Sequence, residues 1–187
     1  MTHLLLIVTV LSSFLTNLET KTLQSDFTVT VAEEVNAPLN FPGSIIMQGR
    51  QFKLSMFSIE AAYDGQTLYM YSAETDELTL SHPTEQELLE ANPFLYAQAL
   101  VDVCNVTERA SQDGKETVIT LTPRDQSAGI NRFTLRVRNE DLMPLSAEIK
   151  EGKKTSSLKM KAPKFVETSQ EYIIKPDKNT FVNDMRL

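Results

Sequence analysis

Apolar residues recur at every second position along most of this chain, and any fold proposed for it must satisfy that period. Leu23, Phe27, Val29 and Val31 alternate with Gln24, Asp26, Thr28 and Thr30. Phe52, Leu54 and Met56 alternate with Gln51, Lys53 and Ser55. The pattern returns at Ile119 and Leu121, at Phe133, Leu135 and Val137, at Leu145, Ala147 and Ile149, and at Leu158 and Met160. A period of two puts successive side chains on opposite faces of a strand, so each run reads as a strand with one buried face. The dipeptides Asp64-Gly65 and Asp113-Gly114 and the polar segments 48–51, 73–76, 138–141 and 151–154 punctuate the runs as turns. The expectation is about ten short strands in meander order.

Two places break the period. In the segment 84–101, Thr84 and Glu87 form a capping box, and Asn92 precedes Pro93 at the first position of a second helix. At the N-terminus, Leu4, Ile7, Val8, Leu11, Phe14, Leu15 and Leu18 fall on one helical stripe. Residues 1–20 therefore read either as a retained helix packed on the core or as an atypical secretory signal. The run is too short to predict a membrane span. An antiparallel sheet with one apolar face must cover that face, and few helices are on hand to do it. The predicted fold is mainly β: a single antiparallel sheet curled into an incomplete barrel. The N-terminal helix and the two short helices cover its concave apolar face, in one domain over 1–187.

The chemistry that would mark an enzyme is missing from the pattern. The only histidines, His3 and His82, have no metal-ligand spacing, and the six glycines are scattered without a phosphate-cradling loop. No nucleophile–base pair can be assembled, so neither catalysis nor a cofactor is expected. The net charge of −7 repels phosphate backbones, which argues against nucleic-acid partners. Cys104, the sole cysteine, lies in an apolar stretch and reads as a buried thiol. It is far from the N-terminus, so the chain is not expected to carry a lipid anchor of its own. A monomer is expected. Met47, Met56, Met70, Met143 and Met160 fall in or beside strands, where flexible side chains suit either a core or a wall that adapts to varied apolar ligands.

Several segments resemble the outer-membrane lipoprotein carrier (LolA-type) family: TLQSDFTVTV, GSIIMQGRQFKLSM, YDGQTLYMYSAETDELTLSHPTEQELLEANPF, NRFTLRVRNEDLMPLSAEIKEGKKTSSLKM and the closing VNDMRL. The most specific block is the Asp64-Gly65 turn with Tyr69 and Tyr71, followed by Glu77 and a Pro-led helix. The resemblance implies a periplasmic carrier that holds lipoprotein acyl chains in a hydrophobic cavity. Its implied partners are an inner-membrane ABC-type exporter and an outer-membrane receptor. On this reading Phe27, Val29, Ile46, Phe52, Leu54, Met56, Met70, Phe133, Leu135 and Met160 line the cavity, and Phe94, Leu95 and Leu100 belong to its lid. Many members of the family carry a basic residue and a Pro shortly before the Phe that matches Phe52, and that Arg holds the lid closed. Here the stretch is Gln48-Gly49-Arg50-Gln51-Phe52, which leaves Gln48 and Arg50 as lid-closing candidates. The alternative function is a periplasmic sensor, or a carrier of another lipid, on the same barrel.

Overall fold

The computed structural model describes residues 9–34, 36–125, 129–167 and 170–186. The chain begins with α1 (Val10–Thr20) and runs through β1 (Thr22–Glu33), β2 (Asn36–Gln48), β3 (Gln51–Met56), β4 (Ile59–Tyr63), β5 (Leu68–Ser72) and β6 (Glu77–Ser81). Two helices follow, α2 (Glu85–Ala91) and α3 (Pro93–Leu100). A second run holds β7 (Cys104–Ala110), β8 (Glu116–Pro123), β9 (Arg132–Arg138), β10 (Pro144–Glu151) and β11 (Lys154–Val166), and β12 (Phe181–Asp184) closes the described chain.

All twelve strands form one sheet in the order β12-β6-β5-β4-β3-β2-β1-β11-β10-β9-β8-β7. Each run is a meander, and the two are joined where β1 pairs antiparallel with β11, from Thr22 opposite Val166 to Glu33 opposite Lys154. β12 adds parallel to β6 at one edge. The sheet does not close, since β12 and β7 remain its edges. It is an incomplete barrel, as the alternation predicts.

The strand count exceeds the expected ten for identifiable reasons. The first half of β2 carries Pro38 and Pro42 and shows no clean alternation. Its pairing with β3 begins only at Gly43 opposite Met56, so residues 36–42 have one unpaired edge, where proline costs no ladder bond. β12 is four residues long with Phe181 and Val182 exposed, so it gives no burial signal.

The concave face gathers the core. Leu23, Phe27, Ile45, Met47, Phe52, Ile119, Leu121, Phe133, Leu135 and Val137 are buried there, and Leu11, Phe14 and Leu18 of α1 pack onto them. Leu4, Ile7 and Val8 of the expected stripe lie outside the described residues. The backbone N–H groups of Val10 and Leu11 donate to the Glu108 carboxylate of β7 at 3.1 and 2.9 Å. That places a negative group on the positive end of the α1 dipole. At the other end of α1, the Leu18 carbonyl accepts from the Gly49 N–H at 2.6 Å. Gly49 has φ +55, a conformation that favours glycine, and it sits in the β2–β3 turn. No described helix is long and apolar enough to cross a membrane.

Candidate functional site: an apolar cavity under two helices

A cavity of about 390 Å³ lies between the concave wall and the junction of α2 and α3. Its wall on the first meander is Phe27 and Val29 of β1, Phe52, Leu54 and Met56 of β3, and Ile59, Ala61 and Met70 of β4 and β5. Leu158 of β11, which pairs with Val29, and Ala147 and Ile149 of β10 continue that wall on the second meander. Glu90, Ala91 and Pro93 make the roof. The polar side chains on this lining are those of Glu90, Ser156 and Ser157. Glu90 is exposed at the rim, and its carboxylate accepts from Gln86 Nε2 at 2.8 Å. A wall of this kind removes apolar surface from water and holds little that could orient or attack a substrate.

The sequence-predicted lining residues divide into three groups. Phe27, Val29, Phe52, Leu54, Met56 and Met70 surround the cavity. Phe133, Leu135 and Met160 are buried in the core and do not line it. Ile46 faces the other side of the sheet, where it lines a groove with Lys53, Lys161 and Lys164. Its neighbours Ile45 and Met47 are the buried ones. The run Ile45-Ile46-Met47 is apolar throughout, so it carries no parity from which to choose a face. Ala61, Ala147, Ile149 and Leu158 were not among the expected lining residues. The last three sit at alternating positions that already mark the buried face, whereas Ala61 lies in a run without polar alternation and has no such signal.

The two roof helices are held very differently. On α3, Phe94, Leu95, Ala97 and Leu100 are buried, and Phe94 packs edge-on against Phe14 with ring centroids 5.9 Å apart. Asn92 is fully buried at its N-cap, accepting from the Phe94 N–H at 3.0 Å, with Pro93 following as expected. On α2 only Leu88 is buried. The expected capping box is present, with Glu87 N donating to Thr84 Oγ1 and Thr84 N to the Glu87 carboxylate. Its tie to the barrel is Arg50, whose guanidinium donates to both carboxylate oxygens of Glu85 at 3.0 and 2.5 Å. Hydrogen bonding from Arg50 holds the Glu85 carboxyl below its ordinary range. A depressed carboxyl pKa contributes above the unfolded value and loses that contribution as pH falls through the folded one, so the pair is intact at neutral pH. Both side chains are about half exposed or more, which makes the tie weak and sensitive to salt. Gln48 does not reach α2 or α3. Its Nε2 makes a long contact of 3.4 Å to the Thr20 carbonyl at the end of α1, and its Oε1 accepts from Thr22.

Cys104 is 1% exposed, and burial pushes its thiol pKa up, which suppresses the reactive thiolate. Among the described residues no group of His, Cys, Asp and Glu is placed to hold a metal ion.

Neither a protein-family model nor a curated protein matches this chain. Solved structures do match it. An uncharacterized conserved protein from Thermus thermophilus superposes with a TM-score of 0.60 at 14% identity, over 93% of this chain and 96% of that one. The MucA/MucB complex of Pseudomonas aeruginosa matches with a TM-score of 0.50 at 15% identity, over 86% of this chain and 58% of that one. A LolA superfamily protein from Nitrosomonas europaea also matches, with a TM-score of 0.41 at 13% identity, over 87% of this chain and 96% of that one. At these identities the likeness is one of fold, and it extends over most of this chain for the first two of these proteins.

Proposed function

We propose that this protein is a periplasmic carrier that takes the acyl chains of lipoproteins into its cavity and moves them from the inner to the outer membrane. The observation that supports this reading most is the cavity itself: a wall of aliphatic and aromatic side chains, Phe27, Val29, Phe52, Leu54, Met56 and Met70 among them, under a roof helix with one buried residue. Each methylene removed from water is worth about 0.8 kcal/mol, so a diacyl anchor does not cross an aqueous space unaided at a useful rate. The apolar wall replaces the bilayer during transit. α2 is the moving part, because swinging it away uncovers one buried leucine, Leu88, and the partly buried Leu89 and Ala91, breaks one exposed ion pair and breaks no strand pairing. In this account Arg50, through Glu85, holds the closed state, and Phe94, Leu95 and Leu100 anchor the hinge side of the lid. An inner-membrane ABC-type exporter would load the carrier and an outer-membrane receptor would unload it.

The test is release of lipoproteins from spheroplasts of a Gram-negative bacterium on adding the purified protein. The carrier reading expects lipoproteins in the soluble fraction, bound to the protein one to one. If the protein takes up an apolar dye but releases no lipoprotein, the shuttle role is wrong and a sensor of lipids on the same barrel takes its place.

A further inference from the structure

We infer that the ligand site continues beyond the cavity, along the arm formed by the ends of β1 and β2, and that this track takes the outer part of acyl chains longer than about twelve carbons. The inference rests on the proposed acyl-chain reading of the cavity and specifies which chains it accepts.

The cavity alone is small. A methylene fills about the volume that a water molecule has in the liquid, roughly 30 Å³, so 390 Å³ holds about a dozen of them. A longer chain must therefore leave by some route, and the arm offers an apolar one. Val29, which lines the cavity, pairs with Phe41, and Val31 pairs with Leu39 one rung further out. Directly paired residues of an antiparallel ladder point to the same face, and alternation puts all four on the face that carries Phe27. The wall therefore runs about 7 Å past Val29 at ~3.4 Å per residue. Leu39, at its far end, is 59% exposed.

The β3–β4 hairpin supplies the other side of the track. Met56 and Ile59, both on the cavity lining, flank the loop residues Phe57 and Ser58. Phe57 has φ +57, a conformation in which a side chain costs energy and glycine does not. Its ring is nonetheless 63% exposed and rests edge-on against Phe41, centroids 4.9 Å apart. A large aromatic side chain held out in water on a strained two-residue loop contributes little to the core. Its position at the end of the cavity gives it another use, as a clamp over a chain lying along Phe41 and Leu39. Strain kept at an exposed site is a feature of ligand-holding elements.

The test is a chain-length series. Lauric, myristic and palmitic acids displace an environment-sensitive dye from the wild-type protein and from the Phe57→Gly and Leu39→Ser variants. Glycine suits the Phe57 backbone, so that variant keeps the fold. A methylene fully removed from water tightens binding about fourfold, and one laid on an open wall about twofold. Palmitic acid, with four more methylenes, is thus expected to bind the wild type roughly sixteenfold more tightly than lauric acid, and both variants are expected to lose that gain while binding lauric acid as before. Equal affinity for lauric and palmitic acids in the wild type, or an undiminished preference for palmitic acid in both variants, would overturn the track. Failure of every chain to bind would overturn the reading of the cavity, and this extension with it.

Discussion

Replacing Phe14 by Ala is expected to lower the stability of the protein by about 3–5 kcal/mol, measured by chemical denaturation. Phe14 is completely buried, and its ring meets Phe94 edge-on. One substitution therefore empties a core site and unpins two helices, α1 on the barrel and α3 on the roof. α1 is eleven residues long, below the length at which a helix stands alone in water, so its order depends on this packing. Ser12→Ala, on the exposed side of the same helix, is expected to change stability by no more than about 0.5 kcal/mol. A loss below about 1 kcal/mol for Phe14→Ala would mean that α1 is not docked on the sheet.

The second large effect is expected from adding a single methyl group. A Cβ on Gly43 would lie 2.5 Å from Phe27 Cζ and 2.6 Å from the Ser55 carbonyl oxygen. Gly43 is the partner of Phe27 across β1 and β2 and of Met56 across β2 and β3, so the ring of Phe27 lies over a backbone that has no side chain of its own. Gly43→Ala should cost about 1–3 kcal/mol by overpacking. It should also push the Phe27 ring towards the cavity and weaken dye uptake. Combining it with Phe27→Leu should recover only part of the stability, because the Ser55 oxygen belongs to the strand backbone and cannot swing aside. Full recovery in the double variant would place the clash with the ring alone.

Much of the barrel was legible because alternation and burial are the same physical fact. The runs at Phe52, Phe133 and Leu158 became β3, β9 and β11, and the Thr84 and Asn92 caps became the starts of α2 and α3. Legibility failed where a residue's surroundings come from distant pairing. Nothing local says that β1 joins β11, or that the proline-bearing start of β2 is tolerated because β3 ends before reaching it. For the same reason the buried face could be divided only by the fold. Phe27 and Phe133 carry equal hydrophobic signals, yet one borders the cavity and the other lies in the core packed under α3, near Tyr96. Arg50 was legible as a charge near the lid, but its partner Glu85 is thirty-five residues away and only the folded chain brings them together.

The central claim is that an acyl chain enters the cavity beneath α2 and α3, and a tryptophan reporter tests it most directly. The chain contains no tryptophan, so Leu54→Trp places a single indole on the cavity wall and Phe181→Trp places one on the exposed edge strand. Titrating each variant with a diacylated lipopeptide should shift the emission of the Leu54→Trp variant to the blue, saturating at one lipopeptide per chain, and should leave that of the Phe181→Trp variant unchanged. An unchanged spectrum at position 54, or equal non-saturating shifts at both positions, would contradict the account.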